Sequence, residues 1–268
     1  MALSNVELER YSRQIILKQI GYRGQKKLAE GKVLVIGVGA LGAPAAMYLA
    51  AAGVGTIGIA DADVVSLSNL HRQIIHMTPD IGRPKTESAK ETILAINPHV
   101  NVEMYEEFLT KDNIAEVIRD YDFVIDATDT SASKTLINDA CVMSEKPFCH
   151  AGIVQFFGQI MTVVPKKSPC CRCVFGKTLL QKQALSCQES GVIGPLAGMA
   201  GSIQALEAIK YLTGAGELLT GRLMMIDLLT MDIQIVEVTG KDDNCPVCSD
   251  HPTITELIQY DQPFCRVQ

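Results

Sequence analysis

The sequence predicts an α/β protein: a Rossmann-like, doubly wound and largely parallel sheet continued into a mixed, antiparallel second half. Three observations predict it. An apolar β-branched run, Lys32 to Ile36, leads into the glycine loop Gly37-Val-Gly39-Ala40-Leu-Gly42. Such a run is the pattern of a buried parallel strand. From there to His150, short apolar runs alternate with helical stretches, the spacing of βαβ units. Beyond Gly158 the rhythm changes: a long helix rich in small residues precedes two adjacent strand candidates that read as a hairpin.

The elements follow in order. Val6 to Leu28 mixes polar and apolar residues and reads as short helices. Ala40 to Ala52 is small and apolar, suited to a helix packed tightly on a sheet. Thr56 to Ala60 is the second strand, closed by Asp61. Lys85 to Ile96 is a helix ended by Asn97-Pro98, because the residue before proline disfavours the helical region. Val100–Tyr105, Asp122–Ala127 and Pro147–His150 are strands, with helices at Ile114–Arg119 and Ser131–Met143 between them. Gly158–Pro165 is a strand, Gly191–Leu212 the long helix, and Arg222–Leu229 and Met231–Val238 the closing pair. The segment after Cys248, with Pro252 and Pro263, is expected to lie on the surface.

Composition narrows the function. The chain has 268 residues and a net charge of -6, so nothing draws it to nucleic acid or anionic lipid. Aromatics are only 5% and Trp is absent, which argues against aromatic base-stacking platforms. No apolar run reaches the roughly 20 residues of a membrane span. The nine cysteines are an odd number, far below a disulfide scaffold, and no secretory signal pattern precedes them. A cytoplasmic protein with reduced thiols is expected, in which cysteine clusters bind metal or do chemistry.

The glycine loop fits GxGxxG between a strand and a helix, a turn that brings phosphate close to backbone at a helix N-terminus. Asp61, 24 residues after Gly37, ends the next strand, where a carboxylate binds ribose hydroxyls. The fingerprint alone does not separate NAD from ATP. The segment Asp61-Ala-Asp63-Val-Val-Ser-Leu-Ser-Asn69-Leu70-His-Arg72-Gln73 is unusually polar. Arg72 and Lys85 are cations able to hold phosphates, and Asp129 ends another strand, where it can hold magnesium. Singly each is an ordinary loop charge; together they describe a triphosphate–magnesium site, which a dehydrogenase does not need.

Cys170-Cys-Arg-Cys173 and Cys245-Pro-Val-Cys248 are two CxxC pairs. Each supplies two thiolates to one tetrahedral zinc if the fold joins them; a redox pair is the other reading. Cys171 is an extra thiol that could replace a neighbour. Cys187 precedes a helix start, where thiol pKa falls. Cys141 and Cys149 sit in apolar contexts and read as small buried hydrophobes, and Cys265 as a free thiol near the end. The five histidines show no metal spacing; His71 borders the polar segment through Arg72, and the others carry no assigned role.

Arg10-Tyr-Ser-Arg13-Gln-Ile, the glycine loop, Asp-x-Asp with Ser-Asn-Leu-x-Arg-Gln, Gly-x-Pro-Lys85 and Asp-x-Thr-Asp129 stand in the order found in the ubiquitin-activating-enzyme superfamily. The chain most resembles its bacterial branch, the MoeB/ThiF adenylyltransferases of sulfur-carrier proteins. The resemblance implies one adenylation domain over residues 1–248: N-terminal helices to 30, a nucleotide-binding half 31–150, and a carrier-binding and zinc half 151–248. It implies ATP on Gly37, Gly39, Ala40 and Gly42, with Asp61 on the ribose. Asn69, Leu70, Arg72, Gln73 and Lys85 would line the phosphates, with Mg2+ on Asp129 beside Thr130. Arg13 would reach the triphosphate across a homodimer interface. Zn2+ would sit on Cys170, Cys173, Cys245 and Cys248. Many members have Gly at the Ala40 position and Asn at the Thr130 position.

The implied reaction is ATP-dependent adenylation of the C-terminal glycine of a ubiquitin-like sulfur carrier, ThiS- or MoaD-type, ending in Gly-Gly. In relatives the loop matching Cys187 crosses the carrier tail, and its thiol forms a thioester or acyl persulfide in some and is dispensable in others. The end at Gln268 leaves no room for the rhodanese domain of longer relatives, so a separate persulfide donor is expected. A nicotinamide oxidoreductase and a non-catalytic carrier-binding partner are the competing readings.

Overall fold

The computed structural model describes residues 3–176, 190–238 and 240–260. Among the described residues eight strands form one sheet: β1 Lys32–Ile36, β2 Thr56–Ala60, β3 Asn101–Tyr105, β4 Phe123–Asp126, β5 Phe148–Val154, β6 Phe157–Val163, β7 Arg222–Asp227 and β8 Asp232–Glu237. Their order is β3-β2-β1-β4-β5-β6-β7-β8. The first five run parallel, and β6 to β8 are antiparallel. The chain reverses its winding between β1 and β4, the switch point at which open α/β sheets place ligands.

The helices are α1 Asn5–Arg10, α2 Ser12–Ile15, α3 Gly21–Glu30, α4 Gly42–Ala52, α5 Lys85–Ile96, α6 Ile114–Arg119, α7 Ser131–Met143, α8 Cys171–Phe175 and α9 Gly194–Thr213. The alternation of each central strand splits its residues between two cores, as period-two geometry requires. Val33, Val35, Phe123 and Ile125 face α4 and α9; Leu34, Ile36 and Val124 face α6 and α7. Close packing on the first face needs small residues. A Cβ on Gly201 of α9 would lie 2.2 Å from the Leu41 carbonyl oxygen. No helix among the described residues is long and apolar enough to cross a membrane.

Three expectations change. The strand expected to stop at His150 runs on to Val154 and folds straight back as β6, so the sheet turns antiparallel there. The tight connection Gln155-Phe156 carries no glycine, which hid it; Gln155 itself takes the left-handed φ of 52°. The long helix starts at Gly194 instead of Gly191, whose φ of 77° is non-helical. The segment after Cys248 is not merely superficial: the Tyr260 hydroxyl donates to Asp139 Oδ2 at 2.7 Å, and Leu257 packs on the second core.

Candidate nucleotide site and metal centre

The glycine loop joins β1 to α4 at the switch point, and its three glycines serve three different purposes. Gly37 has φ 91°, and a Cβ there would meet the Ala127 carbonyl oxygen at 2.8 Å. A Cβ on Gly42 would fall 1.9 Å from the Gly37 carbonyl oxygen. Gly39 is open except for Gln73 Nε2 at 3.5 Å, so its bare face is a cradle a side chain would partly fill. Ala40 is not among the positive-φ residues, so the loop needs no glycine there. The backbone N–H groups of Gly39, Ala40 and Leu41 have no hydrogen-bond partner among the described residues. Three free donors at the start of an eleven-residue helix suit an anion.

Asp61, at the end of β2, accepts from Val38 N at 2.8 Å and from Asp63 N at 2.9 Å. Burial pushes its carboxyl pKa up, against the pull of Lys85. Lys85 opens α5 and is buried, with Nζ 2.8 Å from Asp63 and 3.9 Å from Asp61. A buried cation held by an exposed carboxylate can be transferred to a phosphate at little cost.

The 67–73 turn lies beside the loop. Asn69 uses its Oδ1 to accept from Ser66 N at 3.0 Å, holding the turn, and Leu70 follows half-buried. Arg72 Nη1 donates to Ser68 O at 2.8 Å and to His71 Nε2 at 2.9 Å, which makes that nitrogen of His71 the acceptor. Gln73 is buried and its Oε1 has no partner among the described residues, an orphan that a bound group would satisfy.

Asp129 is exposed in the turn between β4 and α7 and engages no described side chain. Thr130 caps α7, its hydroxyl accepting from Ser133 N at 3.2 Å, so the expected Asn is replaced by a residue with a structural task. Beneath this turn lies a network that the sequence did not reveal. Asp126, fully buried, accepts from Thr128 Oγ1 at 2.7 Å and His150 Nδ1 at 2.8 Å, with Lys134 Nζ at 3.3 Å. Burial raises the Asp126 pKa, but Lys134 and His150 outweigh it and hold the carboxyl well below its usual range.

Arg13 is not brought to the site. It is exposed on α2, where its neighbour Gln14 donates to Ala52 O at the far end of α4 from the glycine loop. Eleven residues of helix put that end about 16 Å away. Cys187 and Cys265 lie outside the described residues.

The two CxxC pairs converge. The four sulfurs of Cys170, Cys173, Cys245 and Cys248 lie within 4.8 Å of one another. Neighbouring pairs are 3.9, 3.6 and 3.3 Å apart. A zinc with bonds of about 2.3 Å needs sulfurs roughly 3.8 Å apart, so the donor set fits a closed tetrahedral centre. Cys171 is not a substitute ligand: it is buried in the second core with Cys141, and burial raises its thiol pKa well above the usual value. Next to the centre, Arg172 pairs with the buried Asp139 at 2.7 Å and with the Tyr260 hydroxyl at 2.6 Å, tying the last described residues to α7.

The geometry agrees with the comparisons. The ThiF family pattern matches residues 11–247. The chain is 42% identical over 99% of its length to the adenylyltransferase and sulfurtransferase MOCS3 of Culex quinquefasciatus, spanning 60% of that protein. It is 42% identical, over the full length of both, to the sulfur carrier protein adenylyltransferase of Thermus thermophilus. Among solved structures, Escherichia coli MccB with MccA-N7isoASN aligns at TM-score 0.79 and 25% identity, over 92% of this chain and 76% of that one. PaaA aligns at 0.74 and 26%, over 88% and 75%. The chain thus spans about three-fifths of the MOCS3 proteins it matches. With the family pattern over residues 11–247 and these likenesses, the chain belongs to the ThiF family.

Proposed function

We propose that this protein is an adenylyltransferase that activates the C-terminal glycine of a ubiquitin-like sulfur carrier ending in Gly-Gly, ahead of thiocarboxylate formation. The observation that carries it is the convergence at the β1/β4 switch of three free loop N–H groups, Asp61, Lys85 and Gln73, with Asp129 on the adjacent strand end. The relative from Thermus thermophilus, matched end to end, bears the name of this activity. A nicotinamide oxidoreductase would leave Lys85 and Asp129 without purpose.

The carrier carboxylate attacks the α-phosphate of ATP, forming a P–O bond as the bond to pyrophosphate breaks. No general base is needed, since a carboxylate is ionised at neutral pH. The chain's own work is positioning and charge neutralisation. Asp61 holds the ribose. The N–H groups of Gly39, Ala40 and Leu41 and the side chains of Asn69, Arg72, Gln73 and Lys85 meet the phosphates, with Leu70 shaping the wall. Asp129 would hold the magnesium that accompanies ATP. Arg13 comes from the partner of a homodimer, since its own site is out of reach. Cys170, Cys173, Cys245 and Cys248 would hold zinc, a closed four-thiolate site that would clamp the second half. Cys187 is a candidate for covalent acyl or persulfide transfer, with sulfur drawn from a separate persulfide donor.

ATP–pyrophosphate exchange dependent on a carrier protein tests the reading. Asp129→Ala should abolish exchange and leave the circular dichroism spectrum unchanged. Full exchange in that variant would remove Asp129 from the site.

A further inference from the structure

The glycine loop is held at Val38 from both sides. Its N–H donates to Asp61 Oδ2 at 2.8 Å. Its carbonyl lies 3.1 Å from Nε2 of His76, a buried histidine that follows the polar turn. The other ring nitrogen, Nδ1, is 2.8 Å from Ser88 Oγ, and Ser88 Oγ is 2.9 Å from Asp80 Oδ2. Asp80 is fixed in turn by Met77 N at 2.8 Å and Arg83 Nη1 at 2.9 Å. The line runs from a partly buried ion pair, through a buried serine and histidine, to the backbone of the glycine loop.

Proton counting decides what His76 does. The Val38 carbonyl has no hydrogen, so Nε2 must carry one and donate it. Ser88 has a single hydroxyl proton, which goes either to Nδ1 or to Asp80. In the first case the ring is neutral, and in the second it is charged, with Lys85 and Asp80 the charges that face it. Nε2–H to Val38 is present in both, so the anchor does not depend on the protonation state.

We infer that His76 is a positioning residue for the nucleotide: by taking the Val38 carbonyl while Asp61 takes its N–H, it fixes the direction in which the next three N–H groups point. The inference rests on the nucleotide reading above. With both polar groups of Val38 engaged in the protein, the N–H groups of Gly39, Ala40 and Leu41 are left for an anion. Releasing the carbonyl would let the peptide turn and bring a negative dipole toward the phosphates. Ser88 lies one helical turn after Lys85 on α5. The same helix therefore delivers the phosphate cation and supports the clamp on the phosphate loop.

The test is ATP binding with excess magnesium, measured by calorimetry on the full chain, with thermal midpoints recorded in parallel. His76→Gln keeps an amide N–H at about the reach of Nε2 and should bind ATP within about twofold of the wild type. His76→Asn and His76→Phe cannot reach Val38 and should bind about tenfold more weakly, the loss of one hydrogen bond plus an unpaired carbonyl. Gln rescue with Asn and Phe loss supports the anchor. Wild-type affinity in all three variants overturns it. Equal weakening of all three in step with their thermal midpoints also overturns it, because His76 would then serve stability alone. A wild type that binds no ATP overturns the nucleotide reading and the anchor together, an outcome distinct from either.

Discussion

Replacing Asp126 by Asn removes one negative charge and no volume. In the protein its carboxylate is buried and receives the Thr128 hydroxyl, His150 Nδ1 and the Lys134 ammonium, which also donates to Ala151 O at 2.5 Å. The Asn variant leaves Lys134, only 11% exposed, without its counter-charge. His150 offers no escape. Its Nε2 is buried and has no partner among the described residues, so switching the ring proton there would bury an unsatisfied donor. Breaking one side of a buried ion pair costs about 3–5 kcal/mol. At this chain length that is a fall of roughly 6–20 °C in thermal midpoint. Far-UV circular dichroism during heating and denaturant titration at pH 7 measures it. The double variant Asp126→Asn, Lys134→Met should recover at least half of the loss, because removing both charges is close to neutral. The pH dependence has a definite sign. Folding lowers the Asp126 pKa, so its contribution is complete above the unfolded value of about 4 and fades as pH falls toward the folded value. The gap between wild type and Asn variant should therefore close on acidification below about pH 4. A variant within about 1 kcal/mol of wild type at pH 7, or a gap that widens in acid, would refute the reasoning.

Two further outcomes are expected. Freshly purified protein should hold one zinc per chain; Cys170→Ser should lose it and expose the 240–260 region to protease, whereas Cys171→Ala should keep it and cost about 1–2 kcal/mol as a core truncation. Incubation with ATP and a Gly-Gly carrier should yield a Cys187-linked adduct released by thiol reductant, and its absence under turnover would make Cys187 a passive thiol.

What the sequence showed was what is local. The glycine loop, Asp61 and Lys85 were legible because each sits at a strand or helix end that its neighbours mark. Pro84 and Asn97-Pro98 bracket α5, and the expected span Lys85–Ile96 is the span observed. The CxxC pairs were legible as pairs; across a separation of 75 residues between Cys170 and Cys245 no local pattern shows them meeting, and one shared zinc was expected chiefly from the family resemblance, while it took the fold to place Cys171 in the core. The change to an antiparallel second half was legible, but the Gln155-Phe156 reversal carries no glycine, and so the place where the sheet turns was hidden.

His76 and His150 were unreadable for a different reason. Their partners lie across the fold: Val38 is 38 residues from His76, and Asp126 is 24 from His150. No local pattern separates them from any other lone histidine. Yet they occupy matching places. His76 supports the loop after β1 and His150 the turn after β4, the two strand ends that flank the switch point. Each turn carries groups proposed to face the triphosphate, free N–H groups on one side and Asp129 on the other. Each turn is seated on the core through apolar residues, Val38 and Leu41 in one and Ala127 in the other, and each is held in addition by a buried imidazole on backbone or carboxylate. The residues proposed to touch the nucleotide announce themselves by motif; those proposed to aim them are selected by geometry, and can only be found once strands far apart in sequence are set side by side.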